Sequence, residues 1–433
     1  MGRLGSGHTR PYGVGTQAWE AATVGGNDMT EGSADNGVAE GDLVAPGDNA
    51  GGYPVAAPDD VGLSAEAVGG LVDRARRDVD DGPLPSCQLA VARHGQLVAS
   101  VTLGDAPAGS RYIAFSCTKA FTAASVWHLL GSGDITVDQP VASIIEEFGA
   151  NGKEAVTVAN LLTHTGGFPH APMGPPDWFT SEGRRQRFAR WSLRWEPGSR
   201  YEYHSTAAHW VLAEIIETVT GTDHRDFFAQ RVAEPLGVGL TLGAAEGSQD
   251  DVRKLVPIGD KPTPEQLAEL GVTGTWDPGE VVNENLVVLN EPANMAVGVP
   301  GGGGVGTAAD LAMFYQGLLA NPGDLWDPEV LNMGTAEVWC DLDDQLTQVS
   351  ALRTLGLALA GDDGHGSLRG FGRTVSGSTF GHMGAGGQIG WADPTTGLSF
   401  AYLTDGLDAF VPNQWRRLAG LANRAGATVA VAA

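Results

Sequence analysis

The stretch AFSCTKAFTAASVWHLL, Ala114 to Leu130, constrains the fold more than any other part of the chain. From Phe121 to Leu130 nearly every position is apolar or small. A helix of that composition leaves no face for water and must be buried on all sides. At its entrance stand Ser116 and Lys119, three positions apart. The 433-residue chain has only four lysines, Lys119, Lys153, Lys254 and Lys261, and one of them interrupts this apolar run.

The rest of the pattern says what surrounds that helix. Ser64 is a plausible N-cap for a helix through Val79. The two apolar runs of CQLAVAR-HG-QLVASVTL read as a β-hairpin, with Gly95 supplying positive φ. Helices are predicted over Val158–His164, Ser181–Trp191, Thr206–Thr220, His224–Leu236 and Pro412–Arg424, and another starts at Thr307 with a capping-box-like entrance. Leu355–Ala360, Thr379–Met383, Gln388–Ala392 and Leu398–Thr404 are short and apolar with Gly or Asp-Pro breaks, which predicts strands. Strands at both chain ends and helices between them imply an α/β (α+β) fold. One antiparallel sheet is built from both ends and flanked by helices, with an all-α lobe inserted. The boundaries read as a tail over 1–56, an α/β part over about 57–135 and 345–433, and a helical lobe over about 136–344. The tail is rich in Gly, Asp, Asn and Ala with little periodicity, so disorder is expected there.

On a helix, positions i and i+3 share a face, so Ser116 and Lys119 point the same way. A serine hydroxyl needs a base to become a nucleophile. A lysine serves only if its pKa falls, and burial lowers it by disfavouring the ammonium. Backbone N–H groups at the helix start could hold a developing oxyanion. Two other segments carry further chemistry. In WEPGSRYEYHSTAAHWVLAEIIE, a turn precedes Tyr201 and Tyr203, and Ser205 is a candidate cap for the next helix; a tyrosine before a helix can relay a proton. In STFGHMGAGGQIGWADPTTGLSFAYLTDG, His382 can orient a substrate or a relay. There the small Gly384 and Ala385 let a substrate lie along the strand edge, and the Ala385 N–H is a second oxyanion donor.

Composition excludes several classes. The net charge of −26 opposes phosphates and anionic lipid, so neither a nucleic-acid nor a membrane partner is expected. The start of the chain has no apolar secretion signal, and a cytoplasmic location is expected. Cys87, Cys117 and Cys340 form no disulfide or metal pattern. The ten histidines contain no HExxH, and no metal is expected. GGGGVG, Gly301 to Gly306, fits a dinucleotide fingerprint in spacing but lacks a preceding strand, so no cofactor is expected either. No GxSxG elbow occurs, which argues against an α/β-hydrolase. Among the aromatic residues of the lobe, Phe168 with one or two tryptophans is a candidate lining for an apolar acyl pocket.

Taken in order, the three segments resemble the serine β-lactamase and penicillin-binding-protein superfamily, with its S-x-x-K, Tyr or Ser, and K-T-G motifs. Within it the chain looks most like class C β-lactamase-like proteins, including family VIII carboxylesterases and D-amino-acid peptidases. Ser116-Cys117-Thr118-Lys119 matches the first motif, Tyr203-His204-Ser205 the second, and His382-Met383-Gly384 stands for the third. LLTHTGGFP, EPLGV and GGGGVGTAADLAMF also match. The resemblance implies an α/β sandwich plus an all-α lobe with the site between them. It implies Ser116 as nucleophile, Lys119 and Tyr203 as the proton-handling pair, and the N–H groups of Ser116 and Ala385 as oxyanion hole. His382, Gly384, Ser205 and Phe168 would contact substrate. Two departures favour an uncharged small-molecule ester: a neutral imidazole at His382 holds an anion poorly, and Ser205 replaces the more usual Asn. A lactamase, peptidase or amidase, an acyltransferase and an inactive binding homologue are the alternatives, and the oligomeric state is open.

Overall fold

Two strands, β1 (Ser86–Arg93) and β2 (Gln96–Gly104), form the hairpin that the sequence predicts. Both turn residues have positive φ, 50° at His94 and 79° at Gly95, whereas the sequence reading asks this of the glycine alone. Positive φ at both positions matches the right-handed twist of the flanking strands. The computed structural model describes residues 49–261, 263, 265, 266, 283–409 and 411–429.

The hairpin is one edge of a six-stranded antiparallel sheet completed from the other end of the chain. Its members are β3 (Ala358–Leu359), β4 (Phe380–Gly384), β5 (Gln388–Asp393) and β6 (Leu398–Thr404), in the order β2-β1-β6-β5-β4-β3. β6 pairs with β1 from Leu398 opposite Arg93 to Thr404 opposite Cys87, so the sheet is built from both chain ends as expected. β3 is shorter than its apolar run. Gly356 has φ 116° and the N–H of Leu357 donates to Thr354 Oγ1, a local turn that removes Leu355–Leu357 from the strand.

Alternation along the strands gives the sheet two buried faces. Leu89, Val91, Phe400 and Tyr402 pack with Leu71 and Val72 of α1 (Ala65–Asp80) and with Leu418 and Leu421 of α5 (Val411–Gly426). Ser64 caps α1, accepting from the N–H of Ala67. On the other face Ala90, Ala92 and Ala401 join Leu311, Ala312 and Tyr315 of α4 (Ala308–Ala320). Thr307 and Asp310 close the expected capping box on α4. The sequence reading places this helix in the inserted lobe; instead it lies on the sheet, because its apolar face meets a strand surface of small alanines.

The apolar stretch is α2 (Thr118–Gly131), preceded by a 3-10 turn at Phe115–Cys117. It runs beneath α3 (Ala207–Thr220), and Phe121, Ala123, Ala124 and Trp127 are all fully buried. Each large apolar side chain so buried is worth about 1.5–3 kcal/mol. The helical lobe also holds a small sheet absent from the sequence reading. Gly304–Gly306 pairs with Tyr112–Ile113, next to the serine, and with Thr241–Leu242. The predicted helix His224–Leu236 exists but contains a π turn at Ala229–Ala233. Of the expected tail, residues 1–48 lie outside the described residues. Tyr53–Ala56 pack on the body: Val55 is buried, and Tyr53 donates to Asp310 Oδ1 at 2.9 Å.

Candidate active site

Ser116 is the one residue between Tyr112 and Trp127 that is not buried. The turn bearing it is entered through Phe115, whose φ of 43° is unusual for a side chain with a Cβ. Such strain is tolerated where surrounding contacts fix it, often at functional sites.

Lys119 is fully buried beside it. Its Nζ lies 3.1 Å from Ser116 Oγ, 2.6 Å from the main-chain oxygen of Ser205 and 2.8 Å from that of Gly301. Burial pushes its pKa well below the ordinary lysine value, and the positive charge of Arg353 adds to the effect. A neutral amine has two hydrogens and one lone pair. An amine that gives both hydrogens to the two carbonyls keeps its lone pair for the hydroxyl of Ser116. Gly301 is held in place from α2, because Thr122 Oγ1 donates to Pro300 O at 2.6 Å and Gly304 N donates to Thr118 Oγ1 at 2.8 Å. A Cβ on Gly304 would come within 2.7 Å of Thr118 Oγ1 and of the Phe121 ring, so only glycine fits that approach. The glycine-rich loop borders the site and supplies one of its oxygens.

Tyr203 completes the group. The Lys119 amine lies 4.9 Å from its ring centre, and its phenol is hydrogen-bonded to Ser116. Burial raises its pKa, while that hydrogen bond and Arg353 act the other way. His164, with φ 59°, stacks obliquely on Tyr203 at 4.7 Å and accepts from the N–H of His204. His204 donates from Nδ1 to Glu202 O and accepts at Nε2 from the N–H of Phe168. Burial holds His204 down at about 3 and lowers His164 and His209 as well, so all three are neutral props behind the tyrosine.

The third segment closes the cleft from β4. A Cβ on Gly384 would lie 2.8 Å from Ala114 O and 3.2 Å from Ser116 N, so the bare glycine lets this strand end touch the serine turn. Ala385 follows in a tight turn that leads into β5. His382 is buried, its Nδ1 lies 2.7 Å from Met383 O, and burial and Arg353 drive it to the neutral form. The N–H is therefore on Nδ1, and Nε2 carries a lone pair with no hydrogen-bond partner among the described residues. Cys117, beside the serine, is buried with its thiol donating to His382 O at 3.2 Å.

Two expectations change. Ser205 does not cap α3, whose N-cap is Thr206 without a side-chain cap; its carbonyl is used instead, on Lys119. Phe168 is not brought to the serine. Its ring is fully buried among Phe148, Trp191 and His204, at centroid distances of 5.5, 5.8 and 4.9 Å, in the core of the lobe. The residue that sequence reasoning missed is Arg353. It sits in an unremarkable loop of VSALRTLG and carries no motif, so only the folded chain brings it beneath Tyr201 and Tyr203.

A separate cavity of about 310 Å³ is lined by Ser181, Arg185, Glu214, Glu217 and Asp223 and includes no residue of the Ser116 group. Glu217, Asp223 and His224 place ligand atoms within 4.8 Å of one another there. His224 already engages Glu217 Oε1 and Gly298 O, while Arg184 and Arg225 pair with Glu217 and Asp223. The group is a closed ion-pair network. No helix among the described residues is long and apolar enough to cross a membrane.

The sequence model of the Beta-lactamase family matches residues 71–423. The Esterase/beta-lactamase LipL of Mycobacterium tuberculosis is 29% identical over 346 residues, covering 72% of this chain and 75% of that protein. The D-alanyl-D-alanine-carboxypeptidase/endopeptidase AmpH of Escherichia coli is 29% identical over 183 residues, 39% of this chain and 46% of that protein. The crystal structure of a family VIII carboxylesterase superposes with a TM-score of 0.67 at 24% identity, covering 83% of this chain and 98% of that one.

Proposed function

The chain belongs to the beta-lactamase family and is a serine hydrolase of it, and from that premise we propose that it cleaves short-chain carboxylic esters through an acyl-enzyme on Ser116. The observation that carries the reading is the setting of Lys119: a buried amine nitrogen within hydrogen-bond distance of the carbonyls of Ser205 and Gly301 and of Ser116 Oγ. As Oγ attacks the ester carbonyl, its proton passes to Lys119 and Tyr203, which act as one coupled pair. The N–H groups of Ser116 and Ala385 hold the oxyanion. The carbonyl re-forms, the C–O bond to the alcohol breaks, and the pair returns the proton to the leaving oxygen. Water then gives a proton to the same pair, attacks the acyl group and releases the acid, restoring Ser116.

His382 supports an uncharged ester over an anionic substrate. Its lone pair on Nε2 is an acceptor, which repels a carboxylate where a lysine would attract one. The LipL name, which includes esterase, agrees. The second reading, hydrolysis of D-alanyl-D-alanine peptides, is favoured by the likeness to AmpH. One assay separates the two: turnover of p-nitrophenyl acetate, butyrate and octanoate, a chromogenic cephalosporin and a D-alanyl-D-alanine peptide, by wild type and Ser116→Ala. Fast short-chain ester hydrolysis lost in the variant supports the esterase. A dominant peptide or cephalosporin activity would replace it with the second reading or with a lactamase.

A further inference from the structure

A permanent positive charge sits beside this site with no carboxylate against it. Arg353 is 8% exposed. Its Nε and Nη2 donate to the phenol oxygen of Tyr201, at 3.2 and 3.0 Å, and its Nη1 is buried without a hydrogen-bond partner among the described residues. The guanidinium stands 5.6 Å from the ring centre of Tyr203, the same ring against which the Lys119 amine lies at 4.9 Å. Among the described residues Arg353 makes no ion pair; the acid that faces it is Asp344, which is occupied in accepting from the N–H of Leu346. Burying a guanidinium without a counter-ion is costly, and a neutral donor would serve Tyr201 as well.

We propose that Arg353 is a positioning residue whose fixed charge, held against the ring of Tyr203 that it shares with Lys119, adds to burial in readying the pair to take the proton of Ser116. The inference rests on the reading of Ser116, Lys119 and Tyr203 given above. The groups that face Lys119 are Ser116, Cys117, Tyr203, His164, His204, His209, His382 and Arg353, and those that face Arg353 are Tyr201, Tyr203, Asp344, Cys340, Lys119, His164, His209 and His382. The histidines are neutral and Cys117 is pushed up to about 12, so the charge of Arg353 is opposed by Asp344 alone in that set. The sign does not depend on which group is the formal base. Loss of the positive charge lets Lys119 and the histidines keep a proton to higher pH and makes Tyr203 harder to ionise, and every one of these moves the acid limb upward.

The test is the pH dependence of Ser116 labelling by a fluorophosphonate, and of kcat/KM for p-nitrophenyl butyrate, in full-length wild type, Arg353→Met and Arg353→Gln. The acid limb is expected about one pH unit higher in Arg353→Met and in Arg353→Gln, a roughly tenfold loss on that limb, the glutamine keeping a donor for Tyr201 without the charge. A limb in the same place in Arg353→Met, with only a lower plateau, would overturn the inference and leave Arg353 as an anchor for Tyr201. If Arg353→Met does not fold, Arg353→Gln decides: a raised limb supports the charge, and an unmoved limb overturns it. Wild type that takes no label on Ser116 at any pH would sink the underlying catalytic reading instead.

Discussion

The amine of Lys119 lies 2.6 Å from the main-chain oxygen of Ser205, a residue 86 positions further along the chain. A second carbonyl, that of Gly301, approaches the same nitrogen from 182 positions away. Three segments remote in sequence thus meet at one buried nitrogen beside Ser116. Lysine reach and charge alone would not do this, because a flexible ammonium in water has neither a fixed direction nor a free lone pair.

Removal of the nucleophile is the first expected outcome. Ser116→Ala should lower kcat for p-nitrophenyl butyrate by at least ~10³, because the covalent route is lost while backbone donors remain. Unaltered Tm would show that the fold is intact. Turnover near wild type would refute the assignment.

Lys119→Arg tests the requirement for a neutral amine. A guanidinium stays protonated throughout the accessible pH range, so the variant should lose ~10² or more of kcat at every pH. Wild-type activity should fall as pH drops through the lowered pKa of Lys119. A pH–rate profile of both proteins checks the two statements together.

The same lysine links stability to pH. Its folded pKa lies below the ordinary value of 10.5, so over that interval the unfolded chain binds more protons than the folded one. Stability from this group therefore rises with pH up to about 10.5 and is lost as pH falls through the folded pKa. Lys119→Met lacks this contribution. Melting curves between pH 7 and 10 should show wild type gaining on the variant as pH rises; a constant difference would argue against a depressed pKa.

Gly384→Val tests the contact between β4 and the serine turn. The added Cβ meets Ala114 O at 2.8 Å and Ser116 N at 3.2 Å, which pushes the Ala385 turn away from the oxyanion position. An expected loss of ~10²–10³ in kcat, larger than any rise in KM, would mark lost transition-state stabilisation. A change confined to KM would place Gly384 in ground-state binding.

Phe168→Ala distinguishes packing from specificity. The ring stacks on Trp191 and meets Phe148 and His204 edge-on inside the lobe. Its removal should cost about 3–5 kcal/mol of stability through the cavity left behind. The ratio of rates on acetate, butyrate and octanoate esters should stay as in wild type. A changed ratio with little loss of Tm would restore Phe168 to the acyl pocket.

Much of this was legible in the sequence because it depends on local chemistry. The nearly all-apolar run from Phe121 to Leu130 forces a buried helix, Ser64 and Thr307 mark helix starts, and the short apolar run Leu398–Thr404 between Gly and Asp breaks marks a strand. Ser116 and Lys119 share a face because helical spacing makes them do so. The less legible parts were those where residues do a job that their type does not announce. Ser205 was read as a cap from its side chain, yet it acts through its carbonyl. Phe168 was read as pocket lining, since an aromatic residue near a motif has the same appearance in a core as in a cleft.

The sequence by itself determined the candidate reacting groups and the helix that hides them, because both follow from side-chain type at helical and strand periods. Only the tertiary structure decided that Lys119 is buried with a lowered pKa, that two carbonyls flank its amine beside Ser116, and that Arg353 lies beneath Tyr203. Those properties come from desolvation and from charges brought close by folding, and neither quantity exists until segments far apart in the chain have packed together.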